Sequence, residues 1–351
     1  MPTMSYAAAI RDAFAVALAR DPSVIVYGLG ATDPKGVFGT TLDLHKQFGT
    51  DRVFDMPTSE NAMTGIGVGA ALGGLRPVLM HQRLDFALLS LDQIVNNAAK
   101  WRFMFGGKRG VPLTIRMIIG RGWGQGPTHS QSLQAWFAHI PGLKVVMPTT
   151  ADDAKGLMLT SIFDDDPVIF LEHRWLHNLE GEVPAGDHRV AIGSARLMRS
   201  GGEATVVAMS LMSVEALHAV DHLARQGITC DLIDLRTIRP IDWPMIEASV
   251  RRTGRLLALD TGYQTGGVAG EVVARIAGSC WSALRAAPRR LASPDAPEAT
   301  SPALTEHYHV RAEHIASAIG ELVGRPVESA SLAAARRYPH DIPGDWFKGP
   351  F

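Results

Sequence analysis

A carboxylate and a histidine stand at places in this chain where their types could do chemistry. Glu60 ends the string Asp55-Met56-Pro57-Thr58-Ser59-Glu60 and precedes a small-residue run, Gly65–Gly74. A carboxyl group so placed can hold or hydrogen-bond a proton. It is explained equally well as a first-turn acid favoured by a helix dipole, with Thr58 or Ser59 as the cap. His129 lies in Gly120-Arg121-Gly122-Trp123-Gly124-Gln125-Gly126-Pro127-Thr128-His129-Ser130, a glycine-rich loop after an apolar run. Imidazole titrates near neutral pH and suits proton exchange, although an ordinary loop histidine fits the spacing too. Between them, Arg76-Pro77-Val78-Leu79-Met80-His81-Gln82-Arg83-Leu84-Asp85-Phe86 reads as a buried strand running into polar residues and an aromatic. The carboxyl end of such a strand is where open α/β sheets bind ligands.

Other chemistries are missing from the sequence. It has no P-loop, no G-x-S-x-G elbow and no H-E-x-x-H. Gly28-Leu29-Gly30 follows a strand, but Asp33 stands where a dinucleotide fingerprint needs its third glycine, so the glycines read as a tight turn. His173 and His177 have i, i+4 spacing, yet they sit at a strand end leading into a linker and do not read as a metal site. Two cysteines, Cys230 and Cys280, exclude a disulfide scaffold and fit a reducing cytoplasm. A net charge of −1 from 34 basic and 35 acidic residues selects neither nucleic acid nor a membrane surface. No apolar run approaches about 18 residues, and Met1–Asp21 has amphipathic helical spacing rather than a signal-peptide layout.

The elements that must position these residues alternate. Val24–Tyr27, Pro77–Met80, Leu113–Ile119, Lys144–Met147 and Val168–Leu171 read as strands. Asn61–Gly73, Asp85–Phe105, Ser130–His139 and Ala151–Phe163 read as helices. A second series follows a glycine- and proline-rich stretch. Its strands are Ala204–Met209, Thr229–Leu235 and Arg255–Leu259, and its helices Val214–Gln226, Trp243–Arg251 and Gly266–Ala277, with a last helix at Ala312–Val323. With 351 residues and 46% hydrophobic content, the expectation is an α/β protein with two doubly wound domains. The boundaries expected are 1–180, a linker at 181–202, 203–325, and a tail at 326–351 that wraps a partner chain or frays. Glycine is costly in helices, so the Gly65–Gly74 run implies close packing on another backbone, within the chain or across a subunit interface.

Taken in order, these stretches resemble the beta subunit of thiamine-diphosphate-dependent 2-oxo-acid dehydrogenases, the decarboxylating component of the pyruvate, branched-chain and acetoin complexes. The matching text includes Pro57-Thr58-Ser59-Glu60, Gly67-Val68-Gly69-Ala70-Ala71, Gly74-Leu75-Arg76-Pro77 and Asp92-Gln93-Ile94-Val95-Asn96. It continues through His129-Ser130-Gln131-Ser132, Pro141-Gly142-Leu143-Lys144-Val145-Val146, Pro167-Val168-Ile169-Phe170-Leu171-Glu172 and Asp234-Leu235-Arg236-Thr237-Ile238-Arg239-Pro240. The resemblance spans most of residues 5–325. It implies a transketolase-like pyrimidine-binding domain followed by a transketolase C-terminal-like domain.

It also implies roles. Glu60 falls on the glutamate that hydrogen-bonds the cofactor aminopyrimidine at N1′ and favours the imino tautomer, which takes the thiazolium C2 proton. Phe86 falls on the aromatic that stacks on the aminopyrimidine, His81 and Gln82 on strand-end positions facing it, and His129 on the loop histidine at the substrate side. Leu29 stands near the cofactor where relatives carry an acid. A K⁺ loop of some relatives falls near Leu113, Ser161, Asp164 and Asp166. The G-D-G…N signature that holds Mg²⁺ and diphosphate does not occur in this chain. An alpha-type partner is therefore expected to supply it, in an α₂β₂ assembly with thiamine diphosphate at the interfaces.

The departures, Leu29, Arg83 and a bulky glycine-rich loop, leave the substrate open. The first expectation is a subunit of a 2-oxo-acid decarboxylase, passing its acyl group to a lipoyl-bearing acyltransferase. The second is half of a split transketolase or carboligase acting on a sugar or aldehyde. A non-catalytic scaffold is the third, against which Glu60 speaks.

Overall fold

Apolar runs become buried strands in both halves of the chain. The computed structural model describes residues 1–349. They divide into two units, one made of Met1–Gly120 and Trp136–Ile192, the other of Arg121–Ala135 and the chain from Gly193 onward.

The first unit contains β1 (Thr3–Ser5), β2 (Val24–Gly28), β3 (Val53–Asp55), β4 (Arg76–His81), β5 (Thr114–Ile119), β6 (Lys144–Val146), β7 (Val168–His173) and β8 (Glu180–Glu182). Six of them lie in the order β6-β7-β5-β4-β2-β3, and every neighbouring pair is parallel. β5 and β7 are buried at every residue, as expected when helices cover both faces. β1 and β8 form a separate antiparallel pair. From β2 the chain moves outward to β3, while from β4 it moves the opposite way to β5. The crevice between the carboxyl ends of β2 and β4 is thus a topological switch point, the place where such sheets bind ligands.

The second unit contains β9 (Arg196–Arg199), β10 (Ala204–Ala208), β11 (Cys230–Asp234), β12 (Thr237–Arg239), β13 (Leu256–Tyr263) and β14 (Arg289–Ser293). Five of these run in the order β14-β13-β10-β11-β9, parallel except for β9. Helices Leu211–Ala224, Trp243–Thr253, Val268–Ser279 and Ala312–Val323 complete it.

Several expectations need correction. Asp85–Phe105 is not one helix. It is a turn of helix at Leu84–Ala87, a 3₁₀ turn at Leu88–Ser90, a π-helical turn at Gln93–Ala98 and a short helix at Trp101–Met104. At the 3₁₀ turn the Ser90 hydroxyl donates to the Ala87 carbonyl and so competes with the α-helical ladder. The helix expected over Ser130–His139 begins only at Gln134. Ser59 occupies the cap position ahead of Glu60–Leu72, but its side chain makes no capping hydrogen bond. The described part of the tail makes contacts with its own unit: Arg336 pairs with Glu313, and Phe347 is buried. The small-residue run packs tightly at Gly67, where a Cβ would lie 2.3 Å from the Tyr27 hydroxyl. At Gly69 a Cβ would meet nothing within 4 Å.

Candidate active site

The switch point is built by close backbone approach. A Cβ on Gly28 would stand 2.2 Å from the Met80 carbonyl oxygen, so only glycine lets the ends of β2 and β4 meet. Beyond it, a Cβ on Gly30 would stand 3.0 Å from Nε2 of Gln82, which places the turn after β2 beside the residues after β4. The segment leading to Glu60 is tied to the same point, because the Met56 amide donates to the Gly28 carbonyl at 3.1 Å. Leu29, His81, Gln82 and Glu60 are thereby gathered around the carboxyl ends of β2, β3 and β4, and Phe86 lies within the short helical turn Leu84–Ala87 that follows β4. Leu29 and Phe86 are half-buried and Gln82 is exposed.

Two groups here lack partners. Glu60 is 7% exposed at the first turn of its helix, and its carboxyl group receives no hydrogen bond or ion pair from the described residues. His81 is buried, and neither ring nitrogen has a partner among the described residues. Burial pushes its pKa down to about 4, so the ring is neutral. Buried polar groups are ordinarily satisfied, and unsatisfied ones mark bonding capacity reserved for something else. A carboxyl group and a neutral imidazole suit a planar nitrogen heterocycle with donor and acceptor edges, so the aminopyrimidine of thiamine diphosphate fits what this unit presents.

A second polar group in the same unit is fully satisfied. Glu172, completely buried at the end of β7, takes a two-pronged ion pair from Arg116 of β5 and contacts His177 Nε2 at 3.0 Å. His177 is held neutral, chiefly by burial, which takes its pKa to about 4. Burial does the same for His173, whose Nδ1 accepts from the Trp175 amide and whose pKa falls to about 3. Neither histidine joins a metal cluster, and no group of three potential ligands occurs among the described residues. Sequence reasoning missed this network. Its signal was Arg116, a charge in the middle of an apolar strand, which demands a buried counter-charge.

His129 and the expected K⁺ loop have surroundings of their own. His129 is half-buried in the segment Arg121–Ala135, which belongs to the second unit, and its Nδ1 lies 3.0 Å from the Thr128 hydroxyl. Around the expected K⁺ loop, Lys144 donates to both oxygens of Asp164 at 2.7 Å, Arg102 pairs with Asp166 at 2.5 Å, and the Ser161 hydroxyl donates to Leu157. Leu113 is buried and its carbonyl accepts from Val168. The two carboxylates are thus already matched to internal cations.

The family model described as "Transketolase, pyrimidine binding domain" matches residues 2–178, and "Transketolase, C-terminal domain" matches residues 193–315. The acetoin:2,6-dichlorophenolindophenol oxidoreductase subunit beta of Cupriavidus necator is 41% identical over 90% of this chain and 96% of its own length. The chain belongs to the transketolase-type family that includes the 2-oxo-acid dehydrogenase beta subunits. The 2-oxoisovalerate dehydrogenase subunit beta of Bacillus subtilis is 38% identical over 92% of this chain and 99% of its own. The pyruvate dehydrogenase E1 component subunit beta of Rhizobium meliloti is 42% identical over 85% of this chain and 65% of its own. A solved structure, titled a split gene transketolase, inactive beta4 tetramer, superposes with a TM-score of 0.75 over 92% of this chain and 99% of that one at 22% identity, which establishes likeness of fold. Two transketolase-type α/β domains are therefore present in the expected order. No described helix is long and apolar enough to cross a membrane.

Proposed function

We propose that this chain is the beta subunit of a heteromeric thiamine-diphosphate-dependent 2-oxo-acid dehydrogenase, contributing the aminopyrimidine-side half of the active site. The observation that carries this reading is the buried Glu60 carboxyl group, which has no partner among the described residues, at the switch point of a transketolase-type pyrimidine-binding domain. When bound, thiamine diphosphate supplies an acidic carbon whose conjugate base adds to the 2-oxo carbonyl. Glu60 would hold a proton at the aminopyrimidine N1′ and so set the tautomer of the ring. Phe86 would stack on the ring, while His81, Gln82 and Leu29 would shape its edge and exclude water. His129 would exchange a proton with the substrate or orient it.

The chain has no motif for a metal-bound diphosphate, whose charge must be offset by a cation and N–H donors. On this reading Mg²⁺ and the G-D-G…N motif belong to an alpha-type subunit in an α₂β₂ assembly, which works in the cytoplasm and hands its acyl group to a lipoyl-bearing acyltransferase. Any K⁺ would rest on main-chain oxygens near Leu113 and Ser161, since Asp164 and Asp166 are already paired. The beta-subunit names of relatives near 40% identity favour this reading over a split transketolase.

The test is reconstitution. With thiamine diphosphate and Mg²⁺, the isolated chain should bind cofactor weakly and turn nothing over. Addition of a G-D-G…N partner should give decarboxylation of a 2-oxo acid. Full turnover by the chain alone, or activity on sugars and none on 2-oxo acids, contradicts the proposal.

A further inference from the structure

The loop that carries His129 is fastened at both ends within the second unit. At its start, Arg121 is 2% exposed. It pairs with Glu298 at 3.1 Å and Asp341 at 2.8 Å, and donates to the Ala299 and Thr300 carbonyls at 2.9 and 3.1 Å. At its end, Gln134 Nε2 donates to Asp260 at 2.5 Å and to Thr261 at 3.2 Å. In between, the backbone presses on Thr300: a Cβ at Gly124 would lie 2.8 Å from its carbonyl oxygen, and one at Gly126 2.6 Å from its hydroxyl.

One half of the first fastening comes from far along the chain. Asp341 lies beyond residue 315, where the match to the C-terminal domain family ends. Its segment is itself tied down. His340 Nε2 and the Thr305 hydroxyl are 3.1 Å apart, Arg311 donates to the Pro343 carbonyl at 2.7 Å, and Arg336 pairs with Glu313 at 2.5 Å. Arg121 and both its carboxylates are more than nine-tenths buried, so solvent screens their attraction little.

We propose that the C-terminal tail is a strap and that Asp341, acting through Arg121, is a positioning residue for the His129 loop. The five N–H donors of a guanidinium form a rigid fork, and two carboxylates with two carbonyls fix its plane. Arg121 precedes His129 by eight residues in a loop rich in glycine, which has little stiffness of its own. Its conformation is therefore set by what grips it. Without Asp341 the tail loses its hold on Arg121, and the fork keeps Glu298 alone as a counter-charge. The catalytic consequence rests on the role proposed above for His129; the mechanical one does not.

Two measurements test this. In the full chain, hydrogen–deuterium exchange over residues 121–135 should quicken about tenfold in Asp341→Ala and less in Asp341→Asn. Exchange over Glu60–Leu72 should stay unchanged, which also shows that the fold is intact. In the complex with the alpha-type partner, Asp341→Ala should lower kcat/KM for the 2-oxo acid about tenfold. Asp341→Glu should restore most of it, and C2 proton exchange of bound cofactor should not change. Unaltered loop exchange in both Asp341→Ala and Asp341→Asn overturns the strap. Faster loop exchange with unchanged kcat/KM, where His129→Ala is impaired, overturns the positioning role. If His129→Ala is itself unimpaired, the role assigned to His129 fails and takes the catalytic half of this proposal with it, while loop exchange still decides the strap.

Discussion

Two buried carboxylates in the first unit have opposite surroundings. Glu172 is locked between Arg116 and His177 at the end of β7. Glu60, at the start of its helix, receives nothing to its carboxyl group from the described residues. A charge that stabilises a fold must be compensated inside it, because breaking a buried pair leaves an ion without solvent or partner. A group kept for a ligand is left uncompensated, and the fold bears that cost. On the proposed function the contrast separates scaffold from site among residues of the same type, in the same unit and at similar burial.

Substitution should therefore damage different properties at the two positions. Glu60→Gln should lower turnover of the reconstituted complex by about 10²–10⁴, the usual loss for a positioned acid–base group. Its unfolding free energy should stay within about 1 kcal/mol of wild type, since no partner is abandoned and only the helix-dipole attraction is reduced. Glu172→Gln should do the reverse. It strands the Arg116 charge and should destabilise the chain by about 3–5 kcal/mol in urea unfolding, with denaturation midpoint and turnover falling together. If Glu60→Gln proves as destabilising as Glu172→Gln, both are scaffold and the contrast is broken.

His129 gives a smaller effect that sharpens the picture. His129→Ala should reduce turnover by on the order of 10² while leaving cofactor affinity unchanged, because the proposed function gives cofactor binding to Glu60, Phe86 and His81 and substrate handling to His129. Equal loss of cofactor affinity would merge the two roles.

The smallest effect concerns pH. His81, His173 and His177 are buried and neutral, with pKa values pushed down to about 4, 3 and 4. In the unfolded chain they protonate near 6.5. Between pH 6.5 and about 4 the unfolded state binds more protons, so stability falls as pH drops through that window. Urea midpoints at pH 7 and pH 5 should show the decline. His81→Leu should make it shallower without lowering stability at pH 7, because neither ring nitrogen has a partner to lose.

The strand–helix rhythm, the inner strands of both sheets and the helix opened by Glu60 were legible because they depend on local periodicity, whereas the short edge strands β3, β9 and β14 were not. The grouping of Glu60, His81, Gln82 and Leu29 was expected from the family resemblance alone, because the reversal in strand order that forms the crevice leaves no local pattern in the sequence. What escaped depends on distant partners. Arg116 and Glu172 are 56 residues apart, and Arg121 and Asp341 are 220 apart, so no spacing rule links them. The break in Asp85–Phe105 escaped because the Ser90 hydroxyl competes with the α-helical ladder for the Ala87 carbonyl, a contest that apolar periodicity does not show. The tail, rich in Arg and Pro, read as loose because its anchors, Glu313, Thr305 and Arg121, lie outside it.

The central claim is that Glu60 is a site carboxylate rather than a helix-terminal acid. Its most direct test is the C2 proton-exchange rate of thiamine diphosphate bound in the reconstituted complex, followed by NMR in wild type and Glu60→Gln. The account predicts that exchange slows by about 10²–10⁴ in Glu60→Gln and stays at the wild-type rate in His129→Ala. A wild-type exchange rate in Glu60→Gln, with cofactor demonstrably bound, would contradict it and return Glu60 to the helix dipole.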